Sequence, residues 1–352
     1  MADFCIDARM AFSSGIGTYI RQVVPLLSDL RPILLVDRVD QEWCRGLEQI
    51  LFSAPIYSAK EQLLYPSKIP KCDVFWSPHY NIPLLPIRAK KRVVTIHDAC
   101  HLVWGTFAER VYANIVMRHA LHRSDRVLTE SHFSANEIQR YLGRRHVDTI
   151  PLAVRREFFT RKVPCEGLRK KYQLPEKFVL FVGNRKPHKN IDGLMRAFSK
   201  VNIPGLGLVL AGKGHPMGQI SDDELPVLYS MAEMLVFPSL YEGFGLPPLE
   251  AMSCGCPTVV SKAASIPEVC GDASVYFDPE REEEMAEAIA RVAMDAELKK
   301  KLIQHGLERV KLFSWEKTAY EMRISDWSSD VCSSDLRFFT HERRTPSVMS
   351  LL

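Results

Sequence analysis

Two carboxylates, Glu242 and Glu250, stand eight residues apart in YEGFGLPPLEAMSCG, on either side of a loop rich in Gly and Pro. The apolar run MLVFPSL precedes the loop. LPPLEAMSCG then predicts a short helix, with Pro247 and Pro248 at its start and Gly255 at its stop. In the first helical turn, Glu250 can accept two hydroxyl hydrogen bonds, as from a ribose diol. Glu242, ahead of the loop, can reach another part of the same molecule. Between them, the N–H groups around Gly243, Phe244, Gly245 and Leu246 can face a phosphate. The spacing suits one extended ligand carrying both hydroxyls and phosphates. Two isolated carboxylates leave most of a coordination shell unfilled, so no metal site is expected.

Three further stretches hold candidate chemistry. FVGNRKPHKN ends an apolar run at Gly183 and then places Asn184, Arg185, Lys186, His188 and Lys189 ahead of a helix starting near Asn190. Cations at a helix N-terminus oppose the helix dipole unless an anion such as a diphosphate lies between them; a plain basic loop is the alternative. TIHDAC sets His97 and Asp98 directly after a strand, where the imidazole either meets a substrate or serves the structure. SSGIGTYI leads with Gly15 and Gly17, which allow close approach to an anion or form a tight turn. Ile20 stands where a dinucleotide fingerprint has its third glycine, which disfavours NAD.

These stretches need strands and helices to position them. Short, nearly continuous apolar runs recur at 4–7, 32–37, 73–77, 92–96 and 126–130, and again at 178–183, 207–212, 234–239 and 257–261. Such runs fit strands buried on both faces of parallel sheets. Helical spacing lies between them, as in Ile191, Leu194, Met195, Phe198 and Val201 after Asn190, a predicted N-cap. The series runs twice. The reading is α/β: two Rossmann-like domains, 1–160 and 161–324, with ligands at strand carboxyl ends facing a cleft.

At 352 residues the chain has room for two domains. Its start carries no signal-peptide pattern, no run is long enough for a membrane span, and the nine cysteines show no Cys-x-x-Cys pair, so reduced cytoplasmic thiols are expected. Charge is uneven. Residues 1–200 hold 32 Lys and Arg against 19 Asp and Glu, whereas 201–352 hold 14 against 23. A basic front half suits phosphates or anionic lipid head groups. Without an RNA-binding motif or zinc finger, no nucleic-acid partner is expected.

FPSLYEGFGLPPLEAMSCGCPTVVS, with Glu242-x7-Glu250, resembles the signature of retaining glycosyltransferases of family 4, which have the GT-B fold. FVGNRKPHKN, VVTIHD, ASIPEVCGDASVYFDP and FSWEKTAYE match that family in the same order, over roughly residues 4–323. The resemblance implies a nucleotide-sugar donor held by 161–324 and an acceptor held by 1–160. It implies Lys189 and Arg185 at the diphosphate, Glu250 at the ribose, and Glu242 with the following amides at the donor sugar. His97 would touch that sugar from the opposite domain, and Gly15–Gly17 would lie near the phosphates. No cofactor or bound metal is implied beyond the donor itself.

TIHD and SPHYNIPL look most like members that transfer mannose in bacterial surface-polysaccharide assembly. GDP-mannose is therefore the preferred donor, with UDP- or dTDP-sugars as alternatives, and His79, Tyr80 and Asn81 are candidates for the acceptor side. A glycan or lipid-linked acceptor is expected, with a cytoplasmic protein touching the inner face of a membrane through its basic half.

The chain departs from the family in three places. Asn184 replaces the usual basic residue after Gly183. Only HPMGQ separates LAGKG from ISDDELP, where members carry another helix and strand. The tail 325–352, with SDWSSDVCSSDL, is similar to a translated sequencing adapter, and a poorly ordered or non-native segment is expected there. A non-catalytic sugar-nucleotide-binding protein and a GT-B epimerase are the rival readings.

Overall fold

Every strand pairing among the described residues is parallel, and the strands form two separate sheets. The computed structural model describes residues 4–143, 146–159 and 166–324. The tail expectation for 325–352 lies outside them.

The first sheet contains β1 (Phe4–Asp7), β2 (Ile33–Val36), β3 (Glu48–Leu51), β4 (Cys72–Ser77), β5 (Ala89–Thr95), β6 (Arg126–Thr129) and β7 (Asp148–Thr149), ordered β3-β2-β1-β4-β5-β6-β7. The second contains β8 (Lys177–Val182), β9 (Leu206–Ala211), β10 (Met234–Phe237), β11 (Thr258–Ser261) and β12 (Ser274–Phe277), ordered β12-β11-β10-β8-β9. All nine apolar runs became strands. Central β1 and β10 are buried at every position, which is why they lack polar alternation.

Strand order reverses twice, between β1 and β4 and between β8 and β10. Such switch points open a crevice at the carboxyl ends of the strands. The second lies between the loops that follow β8 and β10, which carry FVGNRKPHKN and YEGFG.

Three strands carry no clear sequence signal. β3 (EQIL) is a half-exposed edge, β7 has two residues, and β12 (SVYF) is short. Asn190 does precede helix Ile191–Ser199, but its side chain makes no cap bond. It has a left-handed φ of 54° and donates to the Pro279 carbonyl at 2.8 Å. Between β9 and helix Leu225–Met231 there is neither helix nor strand, and β9 ends the sheet.

Helix Trp315–Ile324, grouped by sequence with the second domain, packs on the first. The Trp315 ring lies 6.3 Å from Tyr19 in helix Ser14–Leu26, the Tyr19 hydroxyl reaches the Met322 sulfur at 3.6 Å, and Arg323 pairs with Asp29 at 2.5 Å.

Candidate active site

Lys189 and Glu242, from the two loops at the second switch point, meet at 2.6 Å (Nζ to Oε1). The Lys189 ammonium also lies 5.6 Å from the centroid of the Phe237 ring at the end of β10. Helix Leu246–Ser253 begins immediately beyond. Its N-cap, Gly245, has φ +97°, a left-handed turn that a side chain would strain.

Hydroxyls from both domains hold the carbonyls of this loop. The Ser265 hydroxyl reaches the carbonyls of Glu242 (3.0 Å) and Phe244 (2.9 Å), while Ser131 (2.5 Å) and Ser134 (3.0 Å) from the first domain reach that of Gly243. No acceptor lies on the N–H groups of residues 242–246 among the described residues. Satisfied carbonyls beside open amides at a helix start make an anion cradle. Phe244 contributes only its amide, because its ring is buried edge-on against Phe313.

Glu250 lies one helical turn further on. Tyr229 donates to its Oε2 at 3.0 Å, and burial raises its pKa, an effect that the nearby Arg155 charge opposes. Arg155 in turn pairs with Asp222 at 2.6 Å. Sequence reasoning singled out none of Tyr229, Arg155 and Asp222, since a lone Tyr in a short helix and a lone Arg or Asp in a connecting segment carry no motif.

The basic stretch after β8 is only partly gathered. Arg185 is exposed and pairs with Asp192 at 3.1 Å. The side-chain oxygen of Asn184 (Oδ1) is buried without a hydrogen-bond partner among the described residues. Gly183 donates its amide to the Ala211 carbonyl of β9, and left-handed Gly212 packs so tightly on Gly183 that an added Cβ would fall 2.0 Å from the Gly183 carbonyl oxygen. His188 is buried, its Nδ1 lies 3.8 Å from the Cys100 sulfur, and its ring faces Trp104 at 6.2 Å. Burial, then the Lys189 charge, lowers its pKa.

On the opposite wall, His97 uses both ring nitrogens within its own domain. Nδ1 bonds the Glu130 carboxylate, and Nε2 lies 2.9 Å from the Pro78 carbonyl. Two acceptors require two N–H donors, hence an imidazolium. Burial works against that charge, but Glu130 outweighs it and the pKa is raised. The direct contact expected between His97 and a sugar therefore has no free ring nitrogen here. The His97 carbonyl and Asp98 instead abut Gly243, where an added Cβ would fall 2.8 Å from each. Burial pushes the neighbouring Cys100 thiol up to about 12, so it is no nucleophile at neutral pH.

Gly15 and Gly17 lie in the first turn of helix Ser14–Leu26 rather than in a loop before it. Gly17 is required by packing, since a Cβ would meet the Ala11 carbonyl oxygen at 2.5 Å, whereas Gly15 faces open space.

His79 and Asn81 are not exposed to an acceptor. Both are buried in a network in which Arg9 bonds Asp7 and Glu61 at 2.6 Å each and Asn81 donates to Glu61 at 2.8 Å. Only Tyr80 of the three reaches a partly open surface, beside Tyr57 and His101. Among the described residues there is no cluster of three or more metal-ligating side chains, and no helix is long and apolar enough to cross a membrane.

Residues 215–309 match the family described as Glycosyl transferases group 1. The chain is 33% identical over 265 residues to O-antigen chain mannosyltransferase B of Escherichia coli, covering 66% of this chain and 69% of that protein. It is 30% identical over 290 residues to the serotype-specific mannosyltransferase WbdA of Escherichia coli, covering 73% of this chain but only 34% of that longer protein. Among solved structures, Anabaena Alr3699/HepE in complex with UDP and glucose superimposes with a TM-score of 0.74 at 16% identity, over 92% of this chain and 99% of that one. The chain belongs to the group 1 glycosyl transferases. Its two facing parallel-sheet domains have the GT-B fold.

Proposed function

We propose that the chain is a retaining hexosyltransferase. It moves mannose from GDP-mannose to a glycan or lipid-linked acceptor in surface-polysaccharide synthesis, at the inner face of a membrane. The observation that carries this reading is the Lys189–Glu242 pair beside the open amides of residues 242–246. The donor preference rests on the mannosyltransferase relatives.

The main barrier is departure of the nucleoside diphosphate from the anomeric carbon. Lys189 and the amides at the start of helix Leu246–Ser253 supply preorganised positive charge for the leaving oxygens, and Arg185 would leave its exposed pairing with Asp192 to join them. Glu242 holds the sugar hydroxyls and Glu250 the ribose. The acceptor hydroxyl attacks from the face the diphosphate leaves. The anomeric carbon–phosphate oxygen bond breaks, the new glycosidic bond forms, and the acceptor's proton passes to the departing diphosphate. Tyr80, with Tyr57 and His101, lines the acceptor side. The buried His97–Glu130 pair stiffens the wall against which Gly243 rests.

A second reading, nucleotide-sugar binding without transfer, is favoured by the short connection between β9 and helix Leu225–Met231. One experiment separates the two: a panel of GDP-, UDP- and dTDP-sugars tested for thermal protection and for product. GDP-mannose protects and is turned over, and Lys189→Ala and Glu242→Ala each lower turnover by about 10²–10³-fold. Protection without product supports the second reading, and equal turnover in all three proteins removes the assigned roles.

A further inference from the structure

A cavity of about 470 Å³ opens where the two domains join. Three segments wall it: the second half of helix Ser14–Leu26, residues 154–159 of the connection between β7 and β8, and residues 310–316, where the chain returns to the first domain. Lys189, Glu242, Glu250 and the amides of residues 243–246 do not line it. Its volume suits a small organic molecule rather than a single ion.

The walls combine apolar surface with hydrogen-bond donors. Phe159 is 45% exposed, and Phe313 and Leu26 add apolar surface from the other two segments. Three cations, Arg21, Arg156 and Lys311, line the cavity against one acid, Glu316. Arg156 pairs with Glu316, and Lys311 with Glu308 at 2.6 Å, but both pairs lie open to solvent and exchange readily. Arg21 forms no ion pair among the described residues and donates to the Ala11 carbonyl. Burial lowers its pKa; Asp222 opposes this and Arg155 adds to it. Trp315 is 4% exposed, and its indole N–H has no acceptor among the described residues. A buried donor left without an acceptor is costly. Surplus donors and positive charge beside apolar rings select an acceptor-rich anion with an apolar body.

We propose that this cavity binds a small organic anion, with its phosphate or carboxylate group at Arg21 and Arg156, the Trp315 N–H as a further donor, and its apolar body against Phe159 and Phe313. Such a molecule touches both domains without entering the donor site. It can still influence that site, because Arg155, next to Arg156 in the chain, is the residue whose charge acts on Glu250. The cavity is therefore a regulatory site rather than a second substrate site.

The probe is phenyl phosphate, with inorganic phosphate and benzyl alcohol as its charged and apolar halves. Each is titrated, without nucleotide sugar, into the full chain isotope-labelled at its tryptophan nitrogens. Phenyl phosphate moves the Trp315 indole resonance, identified by W315F, at a concentration at least about tenfold below that needed by either half. R156Q/F159A changes two exposed side chains. It raises that concentration at least about tenfold while the unfolding midpoint stays as in the unsubstituted chain. K189A keeps the response. An unmoved Trp315 resonance, an equal response to inorganic phosphate, or unchanged affinity in R156Q/F159A overturns the proposal. So does loss of the response in K189A, which assigns the binding to the donor site. No transfer is measured, so failure of the donor reading is distinguishable from failure of this one.

Discussion

Glu268 of the second domain caps a helix of the first: its carboxylate accepts the His132 amide at 2.8 Å and the Phe133 amide at 3.1 Å. These are the first two amides of helix His132–Leu142, where the backbone has unsatisfied donors and positive potential. Ser131, the N-cap of that helix, accepts from the Ser134 amide at 3.0 Å while donating to Gly243 across the boundary. One helix start thus serves as both a local terminus and an interdomain clasp.

Removing the carboxylate by Glu268→Ala is expected to cost about 1 kcal/mol. It should also raise the radius of gyration of the ligand-free chain. Thermal unfolding and small-angle scattering check the two effects, and no change in either would show that the clasp does not hold the domains together.

Gly243→Ala is expected to disturb the closed arrangement rather than the fold of either domain. The added carbon would sit 2.8 Å from Asp98 Cβ and from the His97 carbonyl oxygen, both in the opposite domain. Transfer should fall at least about tenfold, as expected when reacting groups are displaced by a fraction of an ångström or more. The chain should open in scattering with near-normal thermal unfolding. Full activity would mean that the two walls need not touch.

The His97–Glu130 pair predicts a pH dependence of stability. The folded pKa of His97 is raised above its ordinary value of 6.5. The pair's contribution is therefore complete below about 6.5 and is lost as pH rises through the raised folded value. Glu130→Gln should remove that slope. Unfolding midpoints measured across neutral to mildly alkaline pH, with a proton titration of His97, check this. Parallel pH profiles for the two proteins would count against an imidazolium at this position.

Arg9→Met is expected to destabilise the first domain by about 3–5 kcal/mol, because it strands buried carboxylates. Burial raises the Asp7 pKa, but the charge and hydrogen bonds of Arg9, aided by His79, bring it well below the carboxylate range. Urea unfolding reads the loss. A replacement that leaves the midpoint unchanged would show that the network contributes no net stability.

The sheets were legible because strands covered on both faces must be apolar almost without interruption, as FCID and MLVF are. β3 was not, because an edge strand can carry Glu48 and Gln49. The loop amides and the two carboxylates were legible because glycines, prolines and acids at fixed spacing leave few geometries open. The pairing of Lys189 with Glu242 was not, since it depends on β8 and β10 lying side by side. Glu130, Ser131 and Glu268 were equally hidden. Their partners lie between 33 and 136 residues away in the chain: the pairing of β5 with β6 brings Glu130 to His97, and only the docked domains bring Ser131 and Glu268 into range of theirs.

The chain crosses between the two sheets twice, once between β7 and β8 and again where Trp315–Ile324 returns to the first domain. Two separate crossings behave like the paired pins of a door. Swinging about the line through them is easy, whereas twisting or sliding one half past the other would strain a pin. Any admission of ligand would then follow a single rotation, bringing Gly243 back to the same seat against Asp98 on each closure.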